Sequence, residues 1–189
     1  LVNIIAKTQH WQQLITITDK ALSKKIINKS TYQENKAIAF FEIAKIKKDS
    51  DREDSIHFIE KAIKLKKNFP PFLDLYINLL IENKKYDFAK KILRRAWSDS
   101  PHLDYKSNII SLSNNLGISF LDLADYIVGS NDSKEESKLL LVEAAISNNK
   151  WKEARNQIKD LLDVQPKKEI CLLMARIEEG DSNDIQKVN

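Results

Sequence analysis

The chain has 189 residues, of which 42% are hydrophobic and 31% are charged, and its formal net charge is +4. Three glycines and four prolines provide too few turns for a many-stranded β fold, so the composition favours helices. The single cysteine, Cys171, excludes an internal disulfide and a multi-cysteine zinc site. No stretch approaches the roughly 20 apolar residues of a membrane-spanning helix, and no signal peptide pattern is present. We therefore expect a soluble fragment of a longer protein.

Five segments carry apolar residues at the spacing i, i+3, i+4 and i+7, which is typical of one face of a helix. In chain order, the predicted helices cover residues 36–47, 72–83, 103–116, 134–148 and 169–179. A shorter helix is predicted near 119–128. Local capping signals predict the helix ends. They are capping boxes at Thr31/Glu34 and Ser133/Glu136, an N-cap at Ser100 before Pro101, stops at Gly117, Gly129 and Gly180, and a new helix start at 182–184.

A second set of segments repeats an order of aromatic, small and bulky residues. The first copy is Tyr86, Ala89, Leu93, Ala96 and Pro101, and the second is Trp151, Ala154, Ile158, Leu161 and Pro166. The shift from position 86 to position 151 is close to two periods of about 34 residues. This order resembles the second helix of a tetratricopeptide repeat, in which small residues let paired helices approach closely.

The repeats predict an all-α chain that forms one domain. We expect a right-handed α-α superhelix, a tetratricopeptide-like solenoid of about five helical pairs in which the last is incomplete. The predicted repeats are 1–30, 31–69, 70–101, 102–132 and 133–166, with a partial repeat at 167–189. An uncapped final repeat would leave an apolar face, so a homodimer through this end is a further expectation.

Two parts of the chain show a more specific similarity. They are the segments 92–97 and 101–104, and the run 139–181 with its Trp151-x-x-Ala154-Arg155 motif and the helix from Cys171 to Glu179. These residues resemble the carboxy-terminal half of HemY-type proteins of α-proteobacteria. The resemblance implies a parent anchored by two amino-terminal membrane helices, with its repeats on the cytoplasmic side of the bacterial inner membrane. It also implies a link to haem or porphyrin biosynthesis and no established enzymatic role.

The sequence offers no convincing catalytic or metal-binding set. His10, His57 and His102 lack the spacing of a zinc-binding helix, and the isolated glycines form no phosphate-binding loop. Cys171 and Met174 lie one turn apart, which is more typical of core packing than of haem ligation. We expect no catalytic residue, no metal and no cofactor. A haem-handling protein remains the least favoured alternative.

By analogy with tetratricopeptide arrays, the first helices should line a concave groove. The groove-facing positions are Asp74, Asn78, Glu82, Glu136, Leu139 and Glu143. This acidic to neutral lining would repel phosphate, so we predict a protein partner bound as a peptide or a helix, and no nucleic acid. An RNA-binding helical repeat remains the main alternative. The excess of lysine and arginine lies on second helices, at Lys61, Lys64, Lys66, Lys67, Lys90, Lys91, Arg94 and Arg95; ordinary solvation or an anionic lipid surface would explain it.

Overall fold

The computed structural model describes the backbone of residues 10–162 and 167–188, and their side chains except those of 160 and 183–188. Within these ranges the chain forms ten α-helices and one short 3₁₀ turn, with no β-strand. The all-α prediction is therefore confirmed. The elements are α1 (Trp11–Ser23), α2 (Lys29–Lys47), α3 (Arg52–Leu65), α4 (Pro70–Glu82), α5 (Tyr86–Asp99), the 3₁₀ turn (Leu103–Tyr105), α6 (Lys106–Leu116), α7 (Phe120–Val128), α8 (Glu135–Ser147), α9 (Trp151–Leu162) and α10 (Lys168–Val188).

The chain divides into two compact units, Leu1–Asn83 and Lys84–Asn189. In unit 1, α1 packs on α2, α2 on α3 and α3 on α4. Alanines make the close approaches, because a small side chain lets two helix backbones come together. Ala37, Ala39 and Ala44 on α2 and Ala62 on α3 have no exposed surface. Ser55 takes a similar buried position and donates a 2.7 Å hydrogen bond to the carbonyl of Ala44.

In unit 2, α5 packs on α6 and α7, and α7 packs on α8. The end of the unit is a group of three helices in which α8, α9 and α10 all contact one another. The repeated small and bulky residues lie in the core, since Ala89, Leu93, Ala96, Ala154, Ile158 and Leu161 are all buried. Tyr86 and Trp151 are half-buried, Pro101 lies between helices, and Pro166 lies outside the described residues.

Some of the predicted helix ends agree with the structure. Gly117 ends α6 in the left-handed conformation with φ 66°, and Gly129 ends α7 with φ 54° and ψ −123°. The predicted stop at Gly180 is wrong, because α10 continues through it to Val188. The new start at 182–184 is wrong for the same reason.

The predicted helix starts at Thr31, Ser133 and Ser100 are wrong. Asn28, and not Thr31, caps α2, accepting a 2.8 Å hydrogen bond from the Thr31 amide. Lys134 precedes α8 without a side-chain cap, so the box at Ser133 is not formed. Ser100 ends α5 and does not start a helix. His102 caps the following 3₁₀ turn through its Nδ1 atom, which accepts a 3.2 Å hydrogen bond from the Asp104 amide.

Candidate functional site

A depression with a volume of about 740 Å³ lies in unit 2 beside α10. Residues of two helices line it: Glu143 of α8, and Lys168, Glu169, Leu172, Leu173, Ala175, Arg176 and Glu179 of α10. Both helices are first helices in the predicted repeat scheme, and they contact each other directly. Of the predicted groove residues, Glu143 alone lies in the lining of the depression.

The two faces of α10 explain why a leucine is exposed here. Ile170, Leu173 and Ile177, spaced by three and four residues, are buried in the core cluster that α8 and α9 share with α10. Leu172 points away from that cluster and has 56% of its surface exposed. An apolar side chain so exposed inside a depression is a potential anchor point for another molecule, because covering it removes apolar surface from water.

Arg155 fixes the position of α10 against α9. Its guanidinium donates hydrogen bonds of 3.2 and 2.9 Å to the Glu178 carboxylate and one of 2.8 Å to Asp181. The bonds to Asp181 and Glu178 raise the pKa of Arg155. A fork of donors shared between two carboxylates of one helix restricts both the register and the rotation of that helix. The face that carries Leu172 is thereby held at the surface.

The depression carries charges of both signs. Glu143 is paired with Lys106 of α6, whose Nζ donates a 2.6 Å hydrogen bond to Oε2 of Glu143. Lys168, Arg176 and Glu179 form no ion pair with any described residue. The lining contains three carboxylates and two cations. This mixture disfavours a phosphate backbone, which binds where cations dominate.

The structure separates the three groove positions predicted in unit 2. Glu143 lines the depression, whereas Glu136 is half-buried on α8 and lies outside the lining. Leu139 is 4% exposed and packs in the core cluster. Its side chain is therefore not presented to a partner, because α8 is covered on most of its surface.

The three groove positions predicted in unit 1 make local contacts. The Asn78 amide donates a 3.3 Å hydrogen bond to Asp74 one turn earlier on α4. Glu82 forms an ion pair with Lys48 at 2.8 Å and a longer one with Arg52 at 3.9 Å. All three side chains are half-buried or exposed. They are accessible, but all three already take part in ion pairing or hydrogen bonding within unit 1.

Sequence reasoning missed the exposed apolar residues of the first helices. Ile38 and Ile46 on α2 are 42% and 57% exposed, and Leu172 on α10 is 56% exposed. In unit 1, α2 approaches α4 through the Phe41 and Phe72 rings, whose centroids are 4.9 Å apart. The sequence signal that could have identified them is an apolar residue outside the main apolar stripe of its helix.

The histidines and the Cys171/Met174 pair were considered above as candidate metal or haem ligands. Among the described residues, no three His, Cys, Asp or Glu side chains are placed to hold a metal ion. Cys171 is exposed, whereas Met174 packs against the core cluster, so the expectation that both pack in the core was wrong for Cys171. No helix within the described ranges is long and apolar enough to cross a membrane.

Comparison with known proteins adds no assignment. No protein-family model matches the chain, and no curated protein matches it.

Proposed function

We propose that this chain is a non-enzymatic scaffold that binds an amphipathic helix or peptide of a partner protein. The proposed docking site is the depression between α8 and α10. The observation that supports it best is Leu172, which is 56% exposed inside a depression of about 740 Å³. Helix-in-groove recognition uses apolar anchors of this kind, flanked by polar side chains.

The size and lining suit a small number of anchoring side chains. Fully burying a leucine contributes about 1.5–3 kcal/mol, and Leu172 has about half of that contribution left to gain. Ala175 is also exposed and leaves room for a bulky partner side chain one turn along α10. A partner that inserts one or two apolar residues would bind with modest affinity, since much of the contact energy offsets the cost of association.

The charges favour a partner that is itself mixed in charge. Lys168 lies at the start of α10 and Glu179 lies further along the same helix, with Leu172 between them. An amphipathic helix with an acidic residue toward Lys168 and a basic residue toward Glu179 would complement both. The three carboxylates of the lining argue against RNA at this position, because each would repel phosphate.

The proposal extends to the cellular setting through the HemY resemblance. The resembling run 139–181 spans most of α8, all of α9 and much of α10. It supports a membrane-anchored parent that displays this scaffold at the cytoplasmic face of a bacterial inner membrane, serving enzymes of porphyrin synthesis. Capture with the full-length parent would test this setting. The setting is wrong if only unrelated proteins are recovered, and the docking site is wrong if those enzymes are recovered equally with wild type and with a Leu172→Glu variant.

The docking site itself can be tested with a defined probe. A displayed library of amphipathic helical peptides would be selected on the 189-residue chain, and the affinity of one enriched peptide would be measured by titration calorimetry. Leu172→Glu should weaken it by about 30-fold, the effect of losing one hot-spot residue. Ile110→Glu is the matched control, because Ile110 is an exposed isoleucine of unit 2 outside the lining.

Salt dependence separates the protein partner from RNA. The affinity of the selected peptide should change little with salt, whereas binding that depends on phosphate contacts weakens steeply as salt rises. A uridine oligonucleotide that binds more tightly than any selected peptide and weakens on Leu172→Glu would contradict the proposal. So would a peptide whose affinity falls equally in the Ile110→Glu control.

A further inference from the structure

The outer face of α5 carries a dense group of cations. Lys90, Lys91, Arg94 and Arg95 stand within six residues, opposite the buried face formed by Ala89, Leu93, Ala96 and Trp97. None of the four cations forms an ion pair with a described residue. Two carboxylates lie on the same side of the helix: Asp87 in the first turn, and Asp99 one turn after Arg95. We call these four side chains the α5 basic face.

An aromatic ring holds two of these cations together. The Nζ atom of Lys90 lies 3.9 Å from the centroid of the Tyr126 ring, and the Cζ atom of Arg94 lies 4.6 Å from the same centroid. Each contact is favourable by itself, because the face of the ring is negative. The two positive charges nevertheless repel each other, and neither forms an ion pair with a described residue. An external anion would relieve that repulsion.

An exposed phenyl ring stands beside the basic face. Phe88 is 46% exposed and lies one turn before Lys91 and two turns before Arg95 on α5. A large aromatic residue adjoining lysine and arginine on one helix surface is the pattern of helices that lie on membranes, in which the ring enters the headgroup region and the long basic side chains reach the phosphates.

We propose that the α5 basic face, with Phe88, docks on the surface of an anionic lipid bilayer. A bilayer fits better than single-stranded nucleic acid for two reasons. The Tyr126 ring is covered by Lys90 and Arg94, so it is not free to stack on a base as nucleic-acid recognition requires. The four cations lie within about 8 Å along the helix axis, which is too short to follow several successive phosphates but suits contact with a plane.

The α5 basic face should strengthen membrane binding through its positive charges, and Phe88 through insertion of its ring. Each lysine or arginine near an anionic membrane strengthens binding by about five-fold. Lys91→Gln/Arg95→Gln removes two exposed cations and should weaken binding to vesicles of phosphatidylglycerol and phosphatidylcholine by about 25-fold. Phe88→Ala should weaken it further without changing its salt dependence, because insertion of the ring is an apolar contribution.

The experiment is cosedimentation of the 189-residue chain with these vesicles, and with vesicles of phosphatidylcholine alone. Lys64→Gln/Lys67→Gln is the matched control, because it removes the same charge from two exposed lysines near the end of α3. The proposal expects binding to anionic vesicles only, weakened by the α5 variant and much less by the control. Equal weakening by both variants would overturn it, since it would show general attraction of a basic protein.

Two other outcomes would also overturn it. One is no sedimentation with anionic vesicles. The other is tighter binding to a uridine oligonucleotide that the α5 variant abolishes, which would assign the face to nucleic acid. Circular dichroism of each variant confirms that the helices remain intact. The result is independent of the peptide experiment, because the α5 basic face shares no residue with the lining of the α8/α10 depression.

Discussion

The indole ring of Trp151 lies directly against Gly180, so that α9 and α10 approach at a point where any side chain on residue 180 would collide with it. A Cβ atom built on Gly180 would lie within 2.7 Å of three carbon atoms of the ring. The need for glycine at position 180 comes from this contact and not from backbone conformation, since the residue lies inside a helix. This contact places the helix that carries the proposed docking site.

The effect of Gly180→Ala on the free energy of unfolding should therefore depend on whether Trp151 is present. In the wild type it should destabilise unit 2 by about 1–3 kcal/mol, the usual cost of overpacking. In a Trp151→Ala background the collision is gone, and alanine should stabilise the helix by up to about 1 kcal/mol through its higher helix propensity. Urea unfolding followed by circular dichroism measures both changes. Destabilisation of equal size in both backgrounds would contradict the contact.

A buried hydrogen bond joins two other helices of the same unit. The Nε1 atom of Trp97 on α5 donates a 2.9 Å hydrogen bond to the Ser137 hydroxyl on α8, and neither side chain has exposed surface. Ser137→Ala leaves the indole N–H without its acceptor, which should cost about 1–3 kcal/mol of unfolding free energy. Ser98→Ala, at an exposed position of α5, should change it by less than about 0.5 kcal/mol. Similar changes for the two variants in denaturant titrations would show that the buried bond contributes nothing.

Tyr105 gives unit 2 a dependence on alkaline pH. Burial of the ring, together with the charge of Asp104, raises the pKa of Tyr105 to about 12, above the value of about 10 for an unfolded chain. Because the folded pKa is the higher one, the native state favours the neutral phenol. This contribution is complete below about pH 10 and is lost between about pH 10 and 12, at about 1.4 kcal/mol per pH unit.

The effect of the raised pKa of Tyr105 can be tested by measuring the free energy of unfolding at about pH 9 and at about pH 11. The wild type should lose more stability between the two than Tyr105→Phe, which has no phenol to ionise. Lysines and other tyrosines contribute to both proteins, so the difference between the two losses is the relevant quantity. Equal losses would mean that Tyr105 ionises as easily in the folded chain as in the unfolded one.

The buried faces of amphipathic helices could be predicted from the sequence. The small and bulky positions Ala89, Leu93 and Ala96 of α5 are buried, because an amphipathic helix places residues three and four apart on one face. The short α7 was predicted within one residue at its start, and its cap at Ser119 accepts a 3.0 Å hydrogen bond from the Asp122 amide. Local patterns were sufficient for these helix faces, because a helix face depends on neighbours in sequence.

Features that depend on distant contacts were not predictable in this way. Gly180 resembled a helix stop because glycine is common at helix ends, but its role depends on Trp151 of another helix. Leu139 was predicted to face the groove and is buried, whereas Leu172 is exposed, since α8 is covered by neighbours on most of its surface. The register of a helix face cannot be inferred until its packing partners are known.

The most direct test of the proposed docking site is amide hydrogen exchange of the chain with and without an enriched helical peptide. Exchange reports the local opening of individual helices, so a bound partner slows it where the partner lies. The proposal predicts added protection in residues 168–179 of α10 and around Glu143 of α8, with none in α6, and loss of that protection in Leu172→Glu. Protection confined to α6 or to α2 would place the partner elsewhere and contradict the α8/α10 site.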